Sequence, residues 1–316
     1  MLNACPARTG LHAGPCDRSK CITFSGVKLP SDTRPAGLRA PFSDRRIFCA
    51  AALALLARPV LGFAQGEEPK PPFVTTPQEV VARMLQLARV AAGDRVFDLG
   101  SGDGRIVIAA AKDFGAQATG IELDEGLVRK SQEAARAAGL EKRTRFIHGD
   151  VLRADISSAT VVTVYLLPWL LERLQPRFLG QLRPGTRVVS HAFLMPGWLP
   201  DTAETVTLTR PHEGQGGSSR IFLWQVPAQV RGRWQADRIP GSEEWQITVA
   251  QNYQNVEIEA RLGGKFIPVE RASLSGRMLE FQAGRRIYRG ECEGERIVGS
   301  LQGAGISVPL AFTRLK

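Results

Sequence analysis

Asp98, Gly100, Gly102 and Gly104 stand at alternate positions in the run "VFDLGSGDGRIV", with Ser101 among them. A glycine-rich turn between an apolar strand and a helix leaves backbone bare, so that a ligand can lie against it. Two ligand classes compete for such a turn. A pyrophosphate wants G-x-G-x-x-G, which lets it rest on the helix N-terminus. Here Arg105 takes the place of the third dinucleotide glycine, and Asp98 lies two residues before the first one. That carboxylate repels a pyrophosphate and suits a ligand that carries positive charge. The N–H groups opening the helix after Gly104 could still receive a carboxylate.

The surrounding pattern shows what holds this turn in place. Thr76, with Pro77 at the first helical position and Glu79 three residues on, reads as a capping box. Val80, Val81, Met84, Leu85, Leu87 and Ala88 then give an apolar helical stripe, so a helix precedes the first strand. A strand is expected at 95–99, a helix at 104–114, a strand at "ATGIEL", a helix at 126–139, and strands at "TRFIHGD" and "ATVVTVYLL". A helix at 168–180 and a strand at "TRVVSHAF" complete the series. This alternation predicts a doubly wound α/β fold with a mainly parallel sheet, whose ligands bind beyond the carboxyl ends of the strands. "DTAETVTLTR" and "SSRIFLWQV", joined by the turn-rich "PHEGQGGS", read as an antiparallel hairpin.

The D-x-G-x-G-x-G pattern resembles the first motif of the class I S-adenosylmethionine-dependent methyltransferases, which have a seven-strand, Rossmann-like sheet closed by such a hairpin. The resemblance covers about 73–226 and implies S-adenosylmethionine as cofactor. It places Asp98, Gly100, Ser101, Gly102 and Gly104 against the cofactor. Glu122, ending "GIEL", corresponds to the acid that bridges the ribose hydroxyls. Asp150, in "FIHGDV", corresponds to the residue that meets the adenine amino group, with Val151 packing on the ring. The segments "PFVTT", "DLGSGDGRIVIAAA", "GIELDEGLVRKSQ", "VYLLP" and "LRPGTRVVSHAF" are similar to a narrower group. These are the small lysine methyltransferases that modify the ATP synthase c subunit and the adenine nucleotide translocase, with bacterial relatives. A protein lysine as methyl acceptor is what that likeness implies.

Methyl transfer from a sulfonium is an in-line displacement that asks for alignment and exclusion of water. A lysine nucleophile must first lose its proton, from a reference pKa of about 10.4. Tyr165, at the carboxyl end of the fourth strand, is the residue best placed to line the methyl site, with Leu166, Leu167 and Pro168 as its rim. An aromatic capping the core is the competing reading. The D/N-P-P-Y signature of amine methylation on bases and glutamine is absent. His148, His191 and His212 have no partner carboxylate evident in the sequence and are assigned no role.

The 316 residues allow two domains, and 43% hydrophobic residues indicate an ordinary globular core. The net charge of +10 invites a nucleic-acid reading, but residues 1–64 hold nine Lys/Arg against three Asp/Glu, leaving only +4 for residues 65–316. No specific nucleic-acid partner is therefore expected. Four cysteines precede residue 50, and Cys292 alone supplies neither a disulfide framework nor a metal site. In "SDRRIFCAAALALLARPVLGFAQ", Arg45 and Arg46 precede an apolar run from Ile47 to Ala57 and small residues Gly62 and Ala64. This is the layout of a signal peptide over 45–64, cut after Ala64, with a likeness to a twin-arginine export signal. It predicts a periplasmic or envelope location with no membrane span after processing; a cytoplasmic location is the alternative. Residues 1–40 make a long leader, which a start codon assigned too early would explain.

Residues 65–72 read as a linker, 73–226 as the methyltransferase domain and 227–316 as a small antiparallel all-β barrel or sandwich, because turn residues there recur every eight to twelve positions. Trp234, Trp245, Phe281, Tyr288 and Phe312 are its expected core. The export signal also keeps a second function in view, a ligand sensor in the envelope that binds S-adenosylmethionine or a nucleoside without turnover.

Overall fold

The computed structural model describes residues 73–212, 216–237 and 243–316. The leader, with its apolar run and cleavage site, lies outside them.

Helix α1 (Gln78–Leu87) buries Val80, Val81, Met84 and Leu85, the stripe that the 3.6-residue period requires. Its capping differs from the expected box. Pro77 is the N-cap, with no side-chain cap hydrogen bond. Thr76 Oγ1 instead lies 3.1 Å from His191 Nδ1, and Glu79 accepts from Thr209 N at 2.8 Å. Tertiary partners have taken both side chains from the local motif, and with Pro77 as N-cap Glu79 no longer stands at the third helical position that a capping box needs.

Strand β1 (Arg95–Leu99), helix α2 (Arg105–Phe114), β2 (Gln117–Glu122), α3 (Glu125–Ala137), β3 (Thr144–His148), β4 (Val161–Val164), α4 (Pro168–Gln181), β5 (Arg187–His191), β6 (Thr202–His212) and β7 (Gly216–Gln225) follow. They form a mixed seven-stranded sheet in the order β3-β2-β1-β4-β5-β7-β6. The first five are parallel, while β7 is antiparallel to both β5 and β6. Strand order reverses between β1 and β4, so the glycine turn that leaves β1 opens at the switch point, where such sheets bind ligands.

Strand β4 is shorter than the expected 159–167. Pro168 opens α4, which holds Leu167 extended as the N-cap and takes residues 165–167 out of the ladder. Strand β3 stops at His148 rather than Asp150, because the Asp150 side chain turns the chain by accepting from Leu152 N at 2.8 Å.

The second sheet is entirely antiparallel and nearly barrel-like. It comprises β8 (Gly232–Ala236), β9 (Trp245–Asn252), β10 (Asn255–Leu262), β11 (Lys265–Ile267), β12 (Val269–Ser275), β13 (Met278–Ala283), β14 (Arg286–Glu293), β15 (Arg296–Gly303) and β16 (Ile306–Arg314). The order is β11-β10-β9-β8-β16-β15-β14-β13-β12. Period-two alternation sends Trp234, Trp245, Phe281, Tyr288 and Phe312 into one core. The Tyr288 hydroxyl lies 3.1 Å from the carbonyls of Ile297 and Leu310, and burial pushes its pKa up. Burial likewise raises the Cys292 thiol to about 11, which suits a packing residue rather than a nucleophile.

The two sheets meet at the turn between β9 and β10. Tyr253 has φ +55° and stacks on Trp198 with centroids 5.5 Å apart. Gln175 of α4 donates to its hydroxyl at 2.8 Å. Trp198 Nε1 donates to Gln254, which in turn donates to the Leu199 carbonyl. Among the described residues, no helix is long and apolar enough to cross a membrane.

Candidate functional site

The turn after β1 is built from three glycines in the left-handed region, with φ +77° at Gly100, +54° at Gly102 and +79° at Gly104. Close approach crowds all three beyond their dihedrals, Gly100 through the Leu166 side chain. A Cβ on Gly102 would stand 2.4 Å from the Phe73 ring, and one on Gly104 would stand 2.8 Å from the Phe146 ring. Gly104 caps α2, and the first helical bond runs from Ile108 N to its carbonyl. The N–H groups of the first helical turn thus face the mouth of the glycine loop.

Asp98 is 2% exposed and accepts a hydrogen bond from Thr163 Oγ1 at 2.7 Å. Burial raises its pKa to about 7; the Thr163 bond opposes that rise, while Glu122 and Asp103 add to it. A cation placed beside this carboxyl would favour its ionised form. Glu122 bridges the turn, accepting from Gly102 N at 2.8 Å and from Asp124 N at 2.9 Å. Arg105 forms a two-point pair with Asp103 and donates to the Thr76 carbonyl. Those hydrogen bonds hold the Asp103 carboxyl below its ordinary range. Ser101 is buried, and its hydroxyl is one of two buried side-chain polar atoms with no hydrogen-bond partner among the described residues. An orphaned buried hydroxyl in a bare-backbone turn is what a missing ligand would leave behind.

The sequence-derived residues fall into two groups. Asp98, Gly100, Ser101, Gly102, Gly104 and Glu122 converge on the turn. Asp150 and Val151 stand just beyond β3, linked to Glu122 by the Gly149 N bond to its carbonyl at 2.9 Å. Tyr165 follows directly on the end of β4. It packs on His191 with centroids 4.1 Å apart and on Phe193 at 6.2 Å. Its neighbour Leu166 fills the space beside Gly100, where a Cβ would meet Leu166 Cδ2 at 2.8 Å. His191 is fully buried between Thr76 and Ser219. His148 lies 3.0 Å from the Leu123 carbonyl.

Sequence reasoning passed over Phe73, Thr163 and Ser131, whose hydroxyl donates to the Gly102 carbonyl at 3.0 Å. Thr163 had a signal, being the one polar residue in the all-buried β4. Ser131 also had one, lying with Val128 and Ala135 on the buried face of α3. Phe73 had none, since its role is fixed only by where the chain returns.

The ANTKMT methyltransferase domain profile matches residues 98–202. A protein-lysine N-methyltransferase of Saccharolobus islandicus is 46% identical over 133 residues, which span 42% of this chain and 83% of the relative. The chain belongs to the ANTKMT methyltransferase family. An adenine nucleotide translocase lysine N-methyltransferase of Mus musculus is 36% identical over 41% of this chain and 56% of its own length. A solved structure described as an RNA methyltransferase of Salinibacter ruber, in complex with S-adenosyl-L-homocysteine, is 48% identical over 50% of this chain and 96% of that one, with a TM-score of 0.45. This ANTKMT-family protein is an S-adenosylmethionine-dependent methyltransferase, and S-adenosylmethionine is its cofactor. The acid-flanked turn and the orphaned Ser101 hydroxyl fit that cationic ligand. Among the described residues, no cluster of His, Cys, Asp and Glu could hold a metal ion.

Proposed function

We propose that the protein methylates the side-chain amine of a lysine in a protein substrate. The observation that supports this reading most is the aromatic ledge of Tyr165 and Phe193 beyond β4 and β5, backed by the buried His191 ring and tied to the glycine turn through Leu166. Aromatic faces attract an ammonium by cation–π interaction. The apolar surroundings also desolvate it, which lowers its pKa toward the neutral, nucleophilic form. Exposed Leu194 continues the apolar rim outward. The lysine methyltransferases among the relatives favour the same acceptor.

When bound, S-adenosylmethionine would supply an electrophilic methyl group, and in-line attack by a neutral lysine nitrogen would break the methyl–sulfur bond, leaving S-adenosyl-L-homocysteine and a methylated ammonium. The chain's own residues hold and align. Asp98 and the N–H groups of the turn receive the amino and carboxylate ends of the methionine moiety, and Ser101 gains a hydrogen-bond partner. Glu122 takes the ribose hydroxyls, and Asp150 with Val151 takes the adenine. Tyr165 orients the amine and, with Phe193, excludes water.

Calorimetric titration with S-adenosylmethionine, followed by transfer of labelled methyl to native-cell extract, tests the reading. Acid hydrolysis of labelled protein is expected to release methyl-lysine. Tight binding with no labelled acceptor would favour the sensor reading, and label confined to RNA would refute the lysine assignment.

A further inference from the structure

The chain after β5 carries the ledge residue Phe193 and then runs to Asp201 without helix or strand. Single hydrogen bonds and buried side chains fix it in place of a ladder. At its start Ala192 has φ +66°, and Phe193 N donates across it to the His191 carbonyl at 2.9 Å, closing a three-residue turn. Ser190 Oγ donates to the Phe193 carbonyl at 2.7 Å. Phe193, Met195 and Trp198 turn inward onto one core cluster, against which Leu166 also packs, while Leu194 and Leu199 are exposed.

The far end of this segment is held by the second sheet. Tyr253, in the turn between β9 and β10, lies nearly parallel to the Trp198 ring, with an interplanar angle of 10°. Gln254 accepts from Trp198 Nε1 at 2.8 Å and donates to the Leu199 carbonyl at 2.7 Å, so both ends of its amide are engaged. The turn is itself rooted. Gln251, which is buried, donates to the Tyr253 and Ala228 carbonyls and accepts from Val230 N and Arg231 N. Among the described residues, four that are not glycine have positive φ, and two of these, Ala192 and Tyr253, stand at the two ends of this one segment. Such a backbone is strained in a residue with a Cβ and persists only where its surroundings over-determine it.

We infer that the second sheet braces the acceptor side of the site, with Tyr253 and Gln254 as positioning residues that act through Phe193. This rests on the reading that the ledge of Tyr165 and Phe193 receives the methyl acceptor. A segment without a ladder has few bonds to resist displacement, and an in-line displacement tolerates little error in alignment. Releasing Trp198 therefore lets Phe193 leave Tyr165. Among the described residues, no hydrogen bond joins Tyr253 or Gln254 to the glycine turn, so the brace serves the acceptor and not the cofactor.

The test uses the full chain and three substitutions. Tyr253→Asn deletes the ring yet suits a left-handed backbone, Tyr253→Phe keeps the ring, and Phe193→Ala removes the residue acted through. Hydrogen exchange is read at the amides of Ala192 and Phe193, both bonded in the present structure. Methyl transfer is read as S-adenosyl-L-homocysteine formed with native-cell extract as acceptor. Tyr253→Asn should speed that exchange and slow transfer, each by about tenfold or more, with S-adenosylmethionine affinity unchanged in calorimetry. Tyr253→Phe should restore both. In a Phe193→Ala background, Tyr253→Asn should slow transfer no further, as action through Phe193 requires. Unchanged exchange at the two amides would overturn the proposal, as would additive losses in the double variant or a matching loss of cofactor affinity. Acid hydrolysis of the labelled product tests the lysine assignment separately. Transfer with this pattern but without methyl-lysine would refute that assignment and leave the brace standing, whereas methyl-lysine with unchanged exchange would do the reverse.

Discussion

Replacing Asp98 by Asn separates stability from cofactor binding. Burial raises the Asp98 pKa from 3.8 to about 7, and that shift of about 3 units corresponds to about 4 kcal/mol at pH values above both. The folded state binds the proton more tightly than the unfolded chain. Its contribution to stability is therefore complete below about pH 4 and is lost as pH rises toward 7. At pH 8 the ionised carboxylate destabilises the fold, and the amide removes that charge while still accepting from Thr163. An orphaned amide nitrogen offsets the gain by about 1–3 kcal/mol. Asp98→Asn should thus be about 1–3 kcal/mol more stable than the parent at pH 8 and less stable at pH 4, measured by urea unfolding at each pH. Cofactor affinity should move the other way. A cationic ligand favours ionised Asp98, so parent affinity should rise by up to about tenfold per pH unit below 7 and level off above it. The variant should bind more weakly at pH 8, with a nearly flat profile. A flat parent profile together with identical unfolding midpoints at pH 8 would refute the reasoning.

Glu122→Ala should weaken S-adenosylmethionine binding by about 1–3 kcal/mol in calorimetry, from lost hydrogen bonds to a charged acceptor; it also frees Gly102 N and Asp124 N from their present partner. Gly102→Val should abolish binding, because its side chain enters the space of the Phe73 ring and its φ of +54° is strained for a β-branched residue. Cofactor binding by that variant at parental affinity would show that the turn serves the fold alone. The chain recovered from fractionated native cells should begin near Gln65 and sit in the envelope, as N-terminal sequencing can establish; an intact leader on a cytosolic protein would sink the export reading.

The short-range features of this protein were legible in its sequence because each is encoded by spacing. Alternate glycines after an apolar strand define the turn, the 3.6-residue stripe defines α1, and period-two alternation defines the second sheet and its aromatic core. The acid two residues before Gly100 distinguished the ligand class, since the side-chain type is written in the sequence even though its protonation is set by burial. Pro168 also carried a readable stop for β4, which the apolar run around it concealed.

Choices between partners far apart in the chain belonged to the tertiary structure. Thr76 reads as a cap, yet its hydroxyl meets His191, 115 residues away. Phe73 covers Gly102, Thr163 meets Asp98, and Tyr253 holds Trp198. The raised pKa of Asp98 likewise comes from the completed packing around it. Local conformation follows from a few neighbouring residues, whereas desolvation and long-range hydrogen bonds exist only once every element has been brought into place.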